Sequence, residues 1–215
     1  MKMLLTTLAV SLSTLTFAEC KPGSECCVKC ILEGRIPPKN HRYRTFAKAL
    51  GLIRDRNLQV FVETAANRYE AVNCLSDGCF TLILGDWIKR NKGQLYTIKF
   101  DEGAIHNVKN ALGDDAQFVK LIRGDSIDVL GKFEQKIDFL YLDSMDFDPK
   151  NPKLSQQHAL KEVQAAYPWL SQRSIVMVDD CKQGSCGKSE LVVEFLVAHG
   201  WKILAKDSQV ILSQE

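Results

Sequence analysis

Three short apolar segments of the chain each end in acidic side chains, whose type and spacing could build a binding or reaction site. Continuous runs of β-branched and aromatic residues are typical of buried parallel strands. Because open α/β sheets bind ligands beyond the carboxyl ends of their strands, acids placed there would face one site. A single acid after a strand often only caps the next helix, but three strands together favour a site. The segments are Gln59–Val62 before Glu63, Ile137–Leu142 before Asp143, and Ser174–Val178 before Asp179 and Asp180.

A histidine lies close to this predicted edge. His158 stands near the start of an amphipathic segment, Ser155–Leu170, that follows the second of the three strands. It is a candidate general base, because imidazole titrates near neutral pH. A histidine without a chemical role on a helix face is the more common arrangement, so both interpretations stay open.

Strand and helix patterns alternate along the chain and indicate how these residues are positioned. Further strand patterns at Leu95–Phe100 and Phe118–Arg123 are each followed by a helical pattern. Alternation at this spacing predicts a parallel sheet with helices on both faces. Trp201–Ala205 and Val210–Leu212 form a predicted closing hairpin, which makes the last strand antiparallel. We therefore predict an α/β fold with a Rossmann-like, doubly wound, mostly parallel seven-stranded sheet.

Length and composition are those of an ordinary globular domain. The 215 residues fit one domain that is long enough to bury a substantial core. A formal charge of +2, without runs of like charge, predicts neither a nucleic-acid partner nor a membrane-surface partner.

The first residues resemble an export signal. Lys2 precedes a mildly apolar stretch that ends in small residues typical of a cleavage site after Ala18. The stretch is too short and too polar for a stable membrane span. We predict a signal peptide over residues 1–18, a cysteine-rich irregular arm over 19–41 and the sheet domain over 42–215. The expected location is the periplasm or the exterior of the cell, and the alternative is a cytoplasmic protein with a frayed N-terminal helix.

Eight cysteines behind a predicted export signal favour disulfide bonds. Cys74 and Cys79 lie in one short loop and Cys181 and Cys186 in another, so each pair could close locally. The complete pairing cannot be deduced from spacing. A zinc site is the alternative for the four cysteines that follow the predicted cleavage point. These are Cys20, Cys26, Cys27 and Cys30.

A glycine-containing turn lies between the fifth strand and the last helix. Gly184–Ser189 is similar to a phosphate-binding loop, but Lys182 replaces the first glycine of that motif. A polar turn with a helix cap is therefore the interpretation that we adopt.

The order of the elements resembles the class I S-adenosylmethionine-dependent methyltransferases, and most of all the small O-methyltransferases of the cation-dependent, catechol type. The resemblance covers about residues 43–213. In that family the turn after the first strand approaches the cofactor, an acid near the second strand binds the ribose, and the turn after the third contacts adenine. The positions that the resemblance assigns to S-adenosylmethionine are Glu63, Thr64, Ala65, Ala66, Asn67, Asp101, Asp125 and Ser126.

The resemblance also implies a reaction for the acids. The family's fourth and fifth strands end in acids that can hold a divalent cation, and Asp143, Asp179 and Asp180 stand at those places. Mg²⁺ prefers such oxygen ligands and would lower the pKa of a bound hydroxyl group. The expected function is methyl transfer to an oxygen of a small molecule, with Asp143 and His158 as candidate catalytic residues and positioning as a main source of rate.

The chain differs from the family's pattern at several places, one of which is a longer turn after the first strand that carries Cys74 and Cys79. Ala65-Ala66 replaces the glycines that let the backbone approach the cofactor. Lys99 stands in the place of the ribose-binding acid, which leaves Asp101 as its substitute. Ser144, where the family has a lysine, follows the fourth-strand acid. A catalytically inactive, exported binding protein on the same scaffold is therefore the alternative function.

Overall fold

A computed structural model describes residues 25–65, 74–77, 79–181 and 187–215 of the chain. The strands are β1 (Val60–Ala65), β2 (Gln94–Lys99), β3 (Val119–Arg123), β4 (Ile137–Asp143), β5 (Leu170–Val178), β6 (Lys202–Lys206) and β7 (Val210–Ser213). The helices are α1 (Glu25–Glu33), α2 (Tyr43–Asp55), α3 (Cys74–Asp77), α4 (Phe80–Arg90), α5 (Glu102–Leu112), α6 (Ser126–Gly131), α7 (Pro152–Ala166) and α8 (Glu190–Ala198). In the described ranges, no helix combines the length and apolarity needed to cross a membrane.

The strands form one sheet in the order β3-β2-β1-β4-β5-β7-β6. β1 to β5 run parallel to one another, whereas β7 is antiparallel to both β5 and β6. The predicted doubly wound, mostly parallel sheet with a closing hairpin is thereby confirmed. β2 and β3 lie on one side of β1, and β4 lies on its other side. The strand order therefore reverses between β1 and β4, which makes this the topological switch point, and Ala65 pairs with Asp143 there.

Successive residues of β4 point to opposite faces of the sheet, and each face carries its own hydrophobic core. Phe139 and Tyr141 pack in the core beneath α2 and α4, whereas Leu140 and Leu142 pack in the core beneath α7 and α8. All four side chains are buried. A strand covered by helices on both faces needs apolar residues on both sides, which is why β4 is apolar without interruption from Phe139 to Leu142.

A helix lies within the segment that the sequence predicts as an irregular arm. The prediction is wrong for α1, which occupies residues 25–33 of the 19–41 segment. Ile31, Leu32 and the following Ile36 are buried in the same core as α2. Burial of this apolar face stabilises the short helix, since intrinsic propensity contributes little over nine residues. The packed domain therefore begins before residue 42.

A disulfide bond joins Cys74 to Cys79, as their spacing predicts. It links α3 to Cys79, the residue that directly precedes α4, and so holds the start of α4 beside α3. Cys181 is described and buried, whereas Cys186 lies outside the described residues, and the predicted bond between them stays a prediction.

Candidate active site

An open cavity lies at the switch point, beyond the carboxyl ends of β1 to β4. Its volume is about 150 Å³. Concave sites with a few convergent polar groups at this place are where α/β sheets bind ligands. The lining residues are Ala65, Ile98, Phe100, Gly124, Asp125, Ser126, Ser144, Met145 and His158.

Four residues predicted from the sequence are brought together in this lining: Ala65, Asp125, Ser126 and His158. Asp125 also begins α6, because its Oδ1 accepts hydrogen bonds from the next turn's backbone N–H groups at 2.9 and 3.2 Å. An aspartate that caps a helix in this way has a fixed carboxylate orientation. The turn after β3 therefore presents Asp125 and Ser126 to the cavity as a rigid unit.

Other residues predicted to bind the cofactor lie elsewhere. Asp101 is not in the cavity lining, and its carboxylate accepts a hydrogen bond from the backbone N–H of Ala104 at 2.8 Å, which caps α5. Ala66 and Asn67 lie outside the described residues, so their assignment stays a prediction.

Glu63 is buried beneath the edge of the sheet. Its carboxylate accepts hydrogen bonds from the hydroxyls of Thr81 on α4, at 2.5 Å, and Thr97 on β2, at 3.0 Å. Burial raises the pKa of Glu63, and the bond from Thr81 and the nearby Lys99 partly oppose that rise. Glu63 therefore ties β1 to its neighbours and does not form part of the cavity wall.

The hydroxyl of Thr64 is a buried polar group without a hydrogen-bond partner among the described residues. Thr64 is fully buried and precedes Ala65, which lines the cavity. Because buried polar atoms are nearly always hydrogen-bonded in native proteins, an orphaned hydroxyl here fits a group supplied by a ligand or by water.

His158 lies in the cavity wall and is backed by a buried acid. Its Nε2 is 3.4 Å from Oε1 of Glu162, one turn further along α7, and 3.4 Å from Oγ of Ser126. Glu162 is only 1 % exposed. The interaction with Glu162 raises the pKa of His158 above its ordinary value, although burial opposes the change. The arrangement is a histidine oriented by a carboxylate, as in general-base sites.

Asp143 faces a lysine ammonium group at the end of β4. Lys188 Nζ is 2.8 Å from Asp143 Oδ1, 3.0 Å from the backbone oxygen of Met145 and 3.4 Å from Asp180 Oδ2. The lysine is 2 % exposed. Burial alone would lower the pKa of Lys188, but the carboxylates around it raise that pKa above its ordinary value.

Asp179 faces an arginine. Arg42 Nη2 lies 3.3 Å from Asp179 Oδ2, and Gln209 Nε2 donates to Asp179 Oδ1 at 2.8 Å. Thr45 in turn donates to the side-chain oxygen of Gln209. Burial alone would raise the pKa of Asp179, but Arg42 and Lys188 hold that pKa below its usual range.

The structure does not support the Mg²⁺ site that was predicted for the three acids at the ends of β4 and β5. In the part of the chain that the structure describes, no three His, Cys, Asp or Glu side chains are grouped to hold a metal ion. Asp143, Asp179 and Asp180 do lie at one edge of the sheet, as the strand pattern predicts. Lys188 and Arg42 contact their oxygens, so cationic side chains stand where the metal ion was expected.

Asp143 gives the protein a specific pH dependence. Burial, against the opposing effect of Lys188, raises the pKa of Asp143 to about 8. The folded protein thus binds a proton that the unfolded chain releases near pH ~4, and we expect the free energy of unfolding to fall as the pH rises from there towards 8. Denaturant unfolding across this range checks the slope. The Asp143→Asn variant should have a flatter profile, and equal slopes in both proteins would contradict the assignment.

Gly187 is required where the chain returns to the end of β5. Its φ is +52°, and Asp180 opposite has a φ of +55°. A Cβ at Gly187 would lie 1.9 Å from the backbone oxygen of Asp180. We expect Gly187→Ala to lower the free energy of unfolding by about 2 kcal/mol or more, measured by denaturant titration. Gly131→Ala is the control, because a Cβ there meets nothing within 4 Å, and an equal loss in both variants would refute this explanation.

Four residues that shape this region did not stand out in the sequence. Glu162 could have been found, because it stands four positions after His158 on a predicted helix. Lys188 lies in the turn that we interpreted only as polar, and Arg42 and Phe100 carry no local signal. Their roles depend on contacts between distant parts of the chain.

Comparison with known proteins agrees with this architecture. A family model described as a methyltransferase domain matches residues 75–181. No curated protein matches the chain.

Solved structures share the fold at low sequence identity. SAH-bound PaMTH1, a methyltransferase of Podospora anserina, is 15 % identical with a TM-score of 0.58, over 88 % of each chain. The O-methyltransferase of Bacillus cereus in complex with SAH is 13 % identical with a TM-score of 0.55, over 87 % of this chain and 89 % of that one. A putative caffeoyl-CoA O-methyltransferase of Staphylococcus aureus is 15 % identical with a TM-score of 0.53, over 86 % and 95 %. The family model and the shared fold together confirm the predicted resemblance to the S-adenosylmethionine-dependent methyltransferases.

Proposed function

We propose that the protein transfers a methyl group from S-adenosylmethionine to a hydroxyl oxygen of a small molecule. One observation carries the proposal: His158 lies in the wall of the switch-point cavity, and the buried Glu162 lies 3.4 Å behind it. A hydroxyl that accepts a methyl group must lose its proton, and a positioned imidazole is the side chain that most often takes one. The similar solved structures named as O-methyltransferases favour oxygen as the accepting atom.

The described cavity wall fits a nucleoside cofactor. Phe100 is 68 % exposed and presents an aromatic ring of the kind on which nucleobases stack. Asp125 and Ser126 add a carboxylate and a hydroxyl to the same wall, and the orphaned hydroxyl of Thr64 lies at the end of β1. These residues would hold the nucleoside half of S-adenosylmethionine. When bound, the cofactor supplies an electrophilic methyl group on a sulfonium centre.

The two ring nitrogens of His158 have different tasks in this proposal. Nε2 lies 3.4 Å from both Glu162 Oε1 and Ser126 Oγ, so in the proposal it is the nitrogen that carries the proton. Nδ1 is then left to accept the proton of the acceptor hydroxyl. Because the buried carboxylate stabilises the imidazolium that forms, Glu162 acts as a positioning residue for His158.

No step of the proposed reaction uses a divalent cation. The oxygens of Asp143 and Asp179 that were expected to bind Mg²⁺ contact Lys188 and Arg42 instead. Acceptor activation is therefore assigned to His158, and Asp143, predicted as catalytic, is assigned to the charge network beside it.

An assay of S-adenosylhomocysteine formation tests the proposed function. The purified full-length protein is incubated with S-adenosylmethionine and a panel of small phenols, catechols and aliphatic alcohols, alongside the matched amines. We expect acceptor-dependent product from at least one hydroxyl class, with the added methyl group on oxygen by mass spectrometry. Methylation of the amines alone would contradict the choice of oxygen. Cofactor binding without turnover of any acceptor would favour the alternative, an inactive binding protein.

We also propose that the chain is exported. The pattern before Glu19 supports this, as does the bond between Cys74 and Cys79, since disulfides persist mainly in oxidising compartments. Mass spectrometry of protein from the medium or the periplasm should give an N-terminus at Glu19. An intact Met1 in that fraction would contradict the proposal.

A further inference from the structure

The ammonium group of Lys188 is surrounded by oxygen atoms in the manner of a bound cation. Its Nζ donates hydrogen bonds to Asp143 Oδ1 at 2.8 Å and the backbone oxygen of Met145 at 3.0 Å, and forms an ion pair with Asp180 Oδ2 at 3.4 Å. A lysine ammonium has three N–H donors, and oxygen atoms of three residues lie around them. With only 2 % of the residue exposed, water supplies little of this coordination.

The backbone around Lys188 is held from both sides. Gln156 Nε2 on α7 donates to the backbone oxygen of Gly187 at 2.9 Å and to Glu190 Oε2 at 2.7 Å. On the other side, the hydroxyl of Ser189 lies 3.0 Å from Sγ of Cys181. The turn that carries Lys188 therefore packs against α7 and the end of β5, and this packing holds the ammonium group beside the acids.

We propose that Lys188 is a built-in cation, which occupies the place between the ends of β4 and β5 where a divalent metal ion was expected and excludes that ion from the site. Arg42 performs the same task for Asp179. This role goes beyond the proposed function, because it concerns which cation balances the acids at the ends of β4 and β5. It holds whichever acceptor is methylated.

The position of Lys188 connects this cation to the proposed base. Lys188, Glu162 and His158 line one narrow gap between α7 and the end of β4. A fixed ammonium group in that gap keeps the carboxylates of Asp143 and Asp180 compensated without a metal that could be lost or exchanged.

Removal of the ammonium group should create a metal site. In the Lys188→Met variant, Asp143, Asp180 and the backbone oxygen of Met145 lose their cation, and such oxygen groups are the ligands that Mg²⁺ and Ca²⁺ prefer. We expect millimolar MgCl₂ or CaCl₂ to raise the melting temperature of this variant by about 3 °C or more relative to EDTA. The wild type should shift by less than about 1 °C under the same conditions.

Two further variants separate the effect of charge from that of packing. Lys188→Arg keeps a cation and should respond to metal as little as the wild type does. Lys188→Met combined with Asp143→Asn removes a proposed ligand, and this double variant should lose the metal response of Lys188→Met. A response that persists in the double variant would overturn the assignment of the ligands.

The wild type tests the proposal without any variant. Calorimetric titration with MgCl₂, in the absence of cofactor and acceptor, should give only heats of dilution. A dissociation constant below about 1 mM in this titration would overturn the proposal, as would a Lys188→Met protein that folds but gains no stability from metal. Because no cofactor or acceptor is present, these results are independent of whether the protein transfers methyl groups.

Discussion

The His158→Gln variant should lose about 10²–10⁴-fold in kcat, with little change in the affinity for S-adenosylmethionine. Glutamine preserves polarity and approximate size in the cavity wall but cannot accept a proton at neutral pH. His158 is only partly exposed, and a carboxylate lies behind it. A water molecule from bulk solvent therefore does not replace it as the base at the same position. Initial rates of S-adenosylhomocysteine formation with a saturating acceptor measure the loss.

Glu162→Gln provides the mechanistic control. The carboxylate of Glu162 is the main cause of the raised pKa of His158. Because the base works in its neutral form, kcat should rise with pH through the pKa of His158, and the midpoint should move to lower pH in Glu162→Gln. A merely structural role for Glu162 would lower the rate without moving that midpoint.

A matched histidine substitution guards against nonspecific effects. His106 is exposed on α5, outside the cavity lining, so His106→Gln should keep the wild-type rate. If His158→Gln retains more than about half of the wild-type kcat, the imidazole is not the base.

Arg42→Met should lower the free energy of unfolding by about 3–5 kcal/mol. Asp179 is fully buried, and its Oδ2 would lose the guanidinium group that lies 3.3 Å away. An uncompensated buried carboxylate is far more costly than a missing contact. Denaturant unfolding of the full-length protein measures the change.

The double variant Arg42→Met with Asp179→Asn tests the cause. Removing both charges should restore part of the lost stability, so the two substitutions should be strongly non-additive. Arg123→Met breaks the exposed pair between Arg123 and Glu102 and should change stability little, as surface pairs do. Similar losses for Arg42→Met and Arg123→Met would contradict the importance of the buried pair.

The pH dependence of this pair has the opposite sign to that of Asp143. Arg42 and Lys188 lower the pKa of Asp179 below its unfolded value, although burial opposes them. Its contribution is therefore present above the ordinary aspartate pKa and is lost as the pH falls below that value.

The sheet was predictable because its determinants are local. The apolar run of β4 and the one that ends β5 are continuous and short, and the parallel direction of the first five strands follows from their alternation with helices. The position of Asp143 and Asp179 at one edge followed from the same pattern. Their partners did not, because Asp179 meets Arg42 across 137 positions and Asp143 meets Lys188 across 45.

The role of Glu63 shows a second limit of sequence reasoning. An acid at the end of β1 was expected to face the cofactor, but the hydroxyls of Thr81 and Thr97 bind its carboxylate within the fold. Whether a side chain at the end of a strand faces the cavity or a neighbouring helix depends on how the helices pack on the sheet. The prediction for the arm before residue 42 was wrong for a similar reason, since the apolar residues of α1 pack against α2 and α4, which lie later in the chain.

The most direct test of the account is a calorimetric titration of the full-length protein with S-adenosylhomocysteine. Binding at one site in the micromolar range is expected, together with affinity that is weaker by about tenfold or more in Phe100→Ala, because a nucleobase would lose its stacking surface. No detectable binding at millimolar S-adenosylhomocysteine would contradict the proposal that the switch-point cavity holds the methyl-donor cofactor.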